Sequence, residues 1–267
     1  MLEYDFVRSA FAAAGIVAVV SGLVGYFLVL RGQAFAGHAL GHIGFTGATG
    51  AVLIGISPLG GLVLVTVAAG VGMGFLEEKL IYRDVAIGIV LALALGVGLL
   101  FLHFYTAAAT QATAILFGNV FAVGWSTVWI LAGIGLATVA ALAVISRPLL
   151  FASLQPELAE AKGVSLRFYS VLFLALVALA TAECAQIVGV LLVFTLMVGP
   201  AAAAQRLVFD VRRGLGLAVV LALAEAWLGI VLAYWTNWPA SFWISALSAG
   251  IYLLATFGDR YRTAVST

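Results

Sequence analysis

Two histidines four residues apart form the densest group of potential metal ligands in the sequence. His38 and His42 lie in a glycine-rich stretch that runs from Gly37 to Gly50. Residues four apart share one face of an α-helix, so the two imidazoles can bind one metal ion together. A lone histidine in a membrane span more often makes an interhelical hydrogen bond, but this pair favours a functional role.

The same spacing occurs in the HExxH motif of zinc peptidases, which raises the alternative of an intramembrane metalloprotease. Ala39 stands where that motif requires the glutamate that acts as general base. The sequence also contains no nucleophile elbow, phosphate-binding glycine loop or paired-cysteine motif. We therefore predict a protein that is not an enzyme and that has no tightly bound cofactor.

Two acidic residues fall inside apolar segments and are further candidates for chemistry. Glu225 lies near the middle of a predicted span, and Glu183 lies near the outer end of another, where we expect it to reach interfacial water. A carboxylate in lipid is unfavourable unless it is paired, protonated or hydrated. Glu225 is thus a candidate third metal ligand, proton-binding group or structural partner. For Glu183 a structural role is favoured. His103 is interpreted as an interfacial residue, and Cys184 is interpreted as a small apolar side chain that fills space.

The composition is that of an integral membrane protein. Of the 267 residues, 65% are apolar and 9% are charged, against about 45–50% and about 25% in soluble domains. A crossing helix needs about 20 apolar residues, so residues 1–267 are expected to form a single transmembrane domain. The fold class is all-α, because each span must satisfy its own backbone hydrogen bonds in lipid. The net charge of +1 and the absence of a basic tract exclude nucleic acid as a partner.

The hydropathy pattern predicts nine spans, with eight as an open alternative. The tract 168–205 is too long for one crossing, and we divide it near Gln186. With the amino terminus outside, all but one of the 12 basic residues fall on the side of the carboxyl terminus, which the positive-inside rule makes cytoplasmic. Outer loops are expected near residues 57–58, 106–121 and 236–239. The predicted spans are 9–30, 38–56, 59–76, 85–105, 124–145, 168–186, 187–205, 215–235 and 241–258.

Residues 146–167 form a predicted cytoplasmic stretch that contains a short helix. Pro156 suits a first helical turn, Glu157 and Glu160 follow where the helix dipole favours acids, and Gly163 suits a C-cap. Composition alone predicts a solvated surface helix.

Short stretches in order along the chain carry a resemblance to a known family. They are Leu28–Gly32 leading into Gly37–His42, then Asp84–Ile89, Ile115–Val120, Pro156–Val164, and Val188–Val193 leading into Gly199–Ala204. Together they resemble the permease subunits of ATP-binding-cassette importers for zinc, manganese and iron ions. The resemblance covers nearly the whole chain and implies the compact helical fold of vitamin B12 and siderophore importers.

The resemblance also implies partners and a location. It implies a second copy of the chain, two cytoplasmic ATPase subunits that bind the ATP, and an external metal-binding protein, all at a bacterial inner membrane. The predicted short helix resembles the coupling helix that docks into an ATPase cleft, and its residues are Pro156, Glu157, Glu160, Ala161 and Gly163.

His38 departs from the family pattern. Many members have aspartate at this position, and that aspartate and the following histidine are thought to contact the metal in transit. An imidazole in place of a hard oxygen ligand favours zinc as the substrate over manganese, with iron, copper and nickel also open. The predicted function is therefore import of a divalent transition-metal ion. The alternatives are a proton-coupled secondary transporter that uses Glu225 or Glu183, and a non-transport membrane scaffold.

Overall fold

The computed structural model describes residues 1, 3–75, 83–104 and 116–265, and its regular structure is helical throughout that part of the chain. Among the described residues, nine helices of 15 residues or more stand where the sequence predicts nine spans, which confirms the all-α fold class. A short helix, α6, lies between the fifth and sixth of them. The helices are α1 (Asp5–Leu30), α2 (Ala34–Leu53), α3 (Pro58–Phe75), α4 (Arg83–His103), α5 (Trp125–Leu154), α6 (Pro156–Ala161), α7 (Leu166–Val188), α8 (Val193–Leu207), α9 (Val211–Thr236) and α10 (Ala240–Val265).

Seven of the described helices are long and apolar enough to cross a membrane: α1, α3, α4, α5, α7, α9 and α10. The other two long helices differ from them for separate reasons. α2 has 20 residues but carries two histidines, two threonines and five glycines. α8 has only 15 residues, which at 1.5 Å per residue is about 22 Å and shorter than a hydrocarbon core of about 30 Å.

α1 and α7 form the centre of the bundle. α1 packs against α5, α7, α8 and α9, while α7 packs against α2, α3 and α5. α2 joins this centre through a close approach to α3, because a Cβ on Gly47 would collide with the carbonyl oxygen of Gly61. Small residues at a crossing let two helix backbones come together in this way. α4 lies at the periphery and packs mainly on α2.

The break between α7 and α8 depends on glycine. Gly189 has φ +79° and ψ 158°, a conformation that is essentially confined to glycine. Its backbone contacts the backbone of Gly118, which also has a positive φ of +71°. The long apolar tract is therefore divided as predicted, but the break lies at Gly189 rather than near Gln186.

The structure alters one other predicted boundary. α5 continues to Leu154 with Pro148 inside it, so the first part of the predicted loop 146–167 is helical. The predicted outer loop 106–121 lies mostly outside the described residues, as do Lys79 among the basic residues and Ile115 in the family-like stretches.

Candidate metal site

α2 presents one polar face, and glycines pack its other faces closely against neighbouring helices. A Cβ on Gly41 would lie 3.2 Å from the carbonyl oxygen of Val190, and one on Gly44 would lie 2.8 Å from the Thr66 hydroxyl. His38 and His42 remain half-buried on the polar face. Thr46 continues that face by one turn, and its hydroxyl donates a hydrogen bond to the carbonyl oxygen of Ala94 in α4.

The two imidazoles stand next to each other, as their spacing predicts. Their ring centroids are 4.7 Å apart at an interplanar angle of 81°. The Phe194 ring, in the first turn of α8, meets His38 edge to face at 5.5 Å. The Nδ1 atom of His42 is buried and has no hydrogen-bond partner in the structure. This atom therefore makes no interhelical hydrogen bond, although such a bond is the ordinary role of a histidine in a span.

In the described part of one chain, the candidate metal site consists of two histidines and no further ligand-type side chain. It contains no group of three or more His, Cys, Asp and Glu side chains that could hold a metal ion. Two imidazoles fill only half of a tetrahedral shell. Water or a second copy of the chain would have to fill the remaining positions.

Glu225 lies in a different polar group. Its side chain is fully buried in α9, and neither carboxylate oxygen has a hydrogen-bond partner. Its neighbour is Ser248 in α10, whose hydroxyl donates to the carbonyl oxygen of Thr195 in α8 at 2.9 Å. No cluster of three ligand-type side chains in the described part of the chain joins Glu225 to the histidine pair.

Glu183 does not reach bulk solvent, so the expectation that it reaches interfacial water is wrong. Its side chain is 1% exposed, because α1 and α5 cover this side of α7. Cys184 is fully buried, in keeping with its interpretation as a filler. His103 is exposed at the end of α4, as expected of an interfacial residue.

The predicted short surface helix is present as α6. Pro156 is its first residue, and Gly163 follows its carboxyl end with φ +80°. The amide of Val164 donates to the carbonyl oxygen of Ala159, and the amide of Gly163 donates to that of Glu160, both at 2.9 Å. This pair of bonds is the Schellman motif that terminates helices at glycine.

The outward surface of α6 combines acids with apolar side chains. Pro156, Glu157, Glu160, Ala161 and Gly163 are all exposed, whereas Ala159 is buried against the bundle. Leu154 and Leu158 are 61% and 46% exposed beside these acids. These side chains form an outward surface that another protein could reach.

Arg31 is a residue that sequence reasoning did not single out. Its Nη1 atom donates to the Ser153 hydroxyl at 2.9 Å, and its guanidinium lies 5.6 Å from the centre of the Phe173 ring. Arg31 ends α1 immediately before the turn that leads into α2, and Ser153 precedes α6 by three residues. The contact joins the α6 end of the bundle to the start of the histidine helix. An arginine that immediately follows an apolar span was the available signal.

Comparisons with known proteins extend along the whole chain. The family model described as the ABC 3 transport family matches residues 3–259. The manganese transport system membrane protein MntC of Listeria innocua is 30% identical over 256 residues, which cover 96% of this chain and 91% of that protein. The manganese import system permease protein ScaB of Streptococcus gordonii is 29% identical over 256 residues, with 96% and 92% covered. The solved structure of PsaBC from Streptococcus pneumoniae in complex with Fab matches with a TM-score of 0.86 at 27% identity, covering 95% of this chain and 92% of that one.

Proposed function

The chain belongs to the ABC 3 transport family, and we propose that it imports a divalent transition-metal ion as the permease of an ATP-binding-cassette importer. The observation that carries the proposal is the adjacent pair His38 and His42, which leaves the Nδ1 atom of His42 without a hydrogen-bond partner. Relatives named as manganese transport proteins support a metal ion as the substrate.

The histidine pair would act as a transient position for the ion along its path. A closed tetrahedral site would hold zinc too firmly, whereas conduction requires a site that the ion enters and leaves easily. Two imidazoles with open coordination positions meet that requirement. With a second copy of the chain across a shared pore, two such pairs would line the path. We assign Glu225 no ligand role in this arrangement, because no group of three ligand-type side chains among the described residues includes it with the histidines.

Zinc is the substrate that the ligands favour. Nitrogen ligands suit zinc, and also iron, better than they suit manganese, which prefers carboxylate oxygen. The relatives named for manganese make that ion the principal competitor. The proposal therefore predicts a preference for zinc over manganese that a change of His38→Asp would reduce.

The partners we propose are a second copy of the chain, two ATPase subunits that dock at α6, and an external metal-binding protein. The exposed acids Glu157 and Glu160 and the exposed Leu158 of α6 support the docking site. Arg31 contacts Ser153, and Arg167 contacts the carbonyl oxygen of Phe75. These contacts support the placement of both basic residues at the same end of the helix bundle. By the positive-inside rule this end is cytoplasmic, with the carboxyl terminus inside and the amino terminus outside the bacterial inner membrane.

A proton-coupled secondary transporter is the second candidate function. It is favoured by the buried carboxyl groups of Glu183 and Glu225, whose oxygens have no hydrogen-bond partners. Such a transporter would work without ATPase subunits. Its uptake would stop when an uncoupler collapses the proton gradient and would survive depletion of ATP.

Uptake by vesicles that contain the chain and its ATPase and binding-protein partners tests both candidates. We would compare zinc, manganese and iron, with and without ATP, for the natural chain and for His38→Ala with His42→Ala. His103→Ala is the matched control, because this third histidine is exposed at the end of α4. We expect ATP-dependent uptake that the double change abolishes while the assembly with ATPase subunits persists. Undiminished uptake by the double variant would refute the role of the pair.

A further inference from the structure

A groove lies where α5 and α9 flank α1. Both helices pack against α1, but among the described residues they make few direct contacts with each other. The space between them is a cavity of about 330 Å³, and none of its described lining residues belongs to α2 or α8, which carry the candidate metal site and its aromatic neighbour. The apolar wall of the groove comes from all three helices: Leu23 and Phe27 of α1, Leu142 and Leu150 of α5, and Leu215 of α9.

Two arginines line the same groove. They are Arg147 of α5 and Arg212 of α9, and both are exposed and form no ion pair or hydrogen bond with another described residue. No acidic side chain is among the described lining residues. Asp210, the nearest acid to Arg212 along the chain, instead caps α9 by accepting a hydrogen bond from the backbone amide of Arg213. The groove therefore combines an apolar wall with two positive charges that no acid of its lining compensates.

The groove has the depth of one membrane leaflet, and its arginines lie toward one end. Its residues on α5 run from Val139 to Leu150, which at 1.5 Å per residue is about 16 Å. Half of a hydrocarbon core of about 30 Å is about 15 Å. α1 and α5 end together, because Arg31 contacts Ser153, and Arg212 is the second residue of α9, which begins there. Arg147 is within a turn of the same end of the groove. This is the end that the positive-inside rule places in the cytoplasm.

We propose that this groove binds an anionic phospholipid of the cytoplasmic leaflet, with an acyl chain between α5 and α9 and the phosphate beside Arg147 and Arg212. A guanidinium group can donate two parallel hydrogen bonds to phosphate oxygens. Basic pockets between membrane helices on the cytoplasmic side are typical sites for anionic headgroups. The lipid would join α5 to α9, which hardly touch each other directly, so its binding stabilises the folded bundle. The site is independent of which ion the chain transports.

Native mass spectrometry of the full chain in detergent tests the proposal with phosphatidylglycerol and phosphatidylcholine that carry identical acyl chains. Only the headgroup differs, so we expect phosphatidylglycerol to bind about tenfold more tightly. Arg147→Gln with Arg212→Gln should remove this preference. Arg213→Gln is the matched control, because Arg213 is exposed beside Arg212 and does not line the groove. Equal affinity of the natural chain for the two lipids, or the same loss of preference in the control, would overturn the proposal.

Two alanine positions on α5 test whether an acyl chain lies in the groove. Ala143 is exposed and lines the groove, so Ala143→Phe would fill the space and leave both arginines in place. We expect this variant to bind phosphatidylglycerol about tenfold more weakly. Ala137→Phe, at an exposed position of α5 outside the groove, should bind it normally. If Ala143→Phe binds as tightly as the natural chain, or if soluble glycerol phosphate displaces the lipid at equal concentration, the arginines hold a phosphate without a chain and the proposal is wrong.

Thermal unfolding in the same detergent gives a second readout that does not depend on transport. A ligand that binds only the folded chain raises its melting temperature, so phosphatidylglycerol should raise that of the natural chain more than phosphatidylcholine does. The difference should disappear in Arg147→Gln with Arg212→Gln and persist in Arg213→Gln. An equal rise with both lipids, or a difference that survives the loss of both groove arginines, would contradict the proposed site.

Discussion

α2 is 20 residues long and packs against α3, α4 and α7, whereas α6 is six residues long and largely exposed. The histidines of α2 are held in place by glycine contacts on the other faces of the helix, so their position depends on several neighbours. The residues of α6 are held by the proline at its start and the glycine after its end, so its shape is mostly local. The proposed site for an ion is thus positioned by the bundle, whereas the proposed docking helix is shaped locally and is accessible from outside.

Reversing the charges on α6 is expected to give the largest effect. In Glu157→Lys with Glu160→Lys, ATP-driven uptake should be abolished because the charge of the proposed ATPase contact surface is reversed. Thermal stability should stay within about 0.5 kcal/mol because both side chains are exposed. Uptake, co-purification with the ATPase subunits and melting temperature are the measurements. Glu3→Lys, also an exposed acid, is the control. Retained co-purification would remove α6 from the interface.

Adding a methyl group where α2 and α3 approach most closely is expected to give the next largest effect. Gly47→Ala would place a methyl group on the carbonyl oxygen of Gly61, so we expect a loss of about 1–3 kcal/mol in stability and reduced uptake as the histidines shift. Gly72→Ala in α3 is the control, since no described atom lies within 4 Å of its Cβ position. Thermal unfolding and uptake in vesicles measure the difference. Equal behaviour of the two variants would show that α2 tolerates displacement.

Removing the aromatic support of His38 should give a moderate effect. An edge-to-face contact contributes about 0.5–1.5 kcal/mol, so Phe194→Ala should raise the apparent KM for the metal by about two- to tenfold. Assembly with the ATPase subunits should not change. Phe257→Ala, in a side chain that is 57% exposed, serves as the control in the same uptake assay. A lower maximal rate at unchanged KM would contradict a role in holding the imidazole.

The smallest effect is expected at the end of α6. Gly163 has φ +80°, where a side chain adds about 1–2 kcal/mol of backbone strain, so Gly163→Ala should weaken ATPase stimulation by transported metal. Gly163→Asn should be milder, because asparagine tolerates this conformation better than alanine does. Stimulation measured against ATPase concentration separates weaker docking from slower turnover. Alanine and asparagine variants that behave alike would point to another cause.

The sequence predicts local features of this protein well. Pro156 and Gly163 mark the ends of α6 because the groups that cap a short helix lie within a few residues of it. The spacing of His38 and His42 likewise predicts adjacent imidazoles, because helical geometry alone brings them together. The nine long helices follow from apolar runs that are punctuated by charges.

Features that depend on distant contacts were not predictable in the same way. Glu183 was expected to reach water, but α1 and α5 cover it, and no local pattern shows which helices pack at that point. Phe194 contacts His38, and Arg31 contacts Ser153 and Phe173. These partners are far away in the chain, so the contacts exist only once the helices are assembled. The break at Gly189 was misplaced by three residues, because its position depends on contact with Gly118.

The pair Gly118 and Gly189 has a consequence for how this chain tolerates change. Each glycine has a positive φ, and a Cβ on either would collide with the backbone of the other segment. Neither residue has a side chain that could touch a transported ion. A screen of all single substitutions should nevertheless find that nearly every replacement of Gly118 or Gly189 abolishes growth that depends on uptake. Because each excluded side chain meets the other segment's backbone, no second-site substitution at the opposite glycine should restore growth.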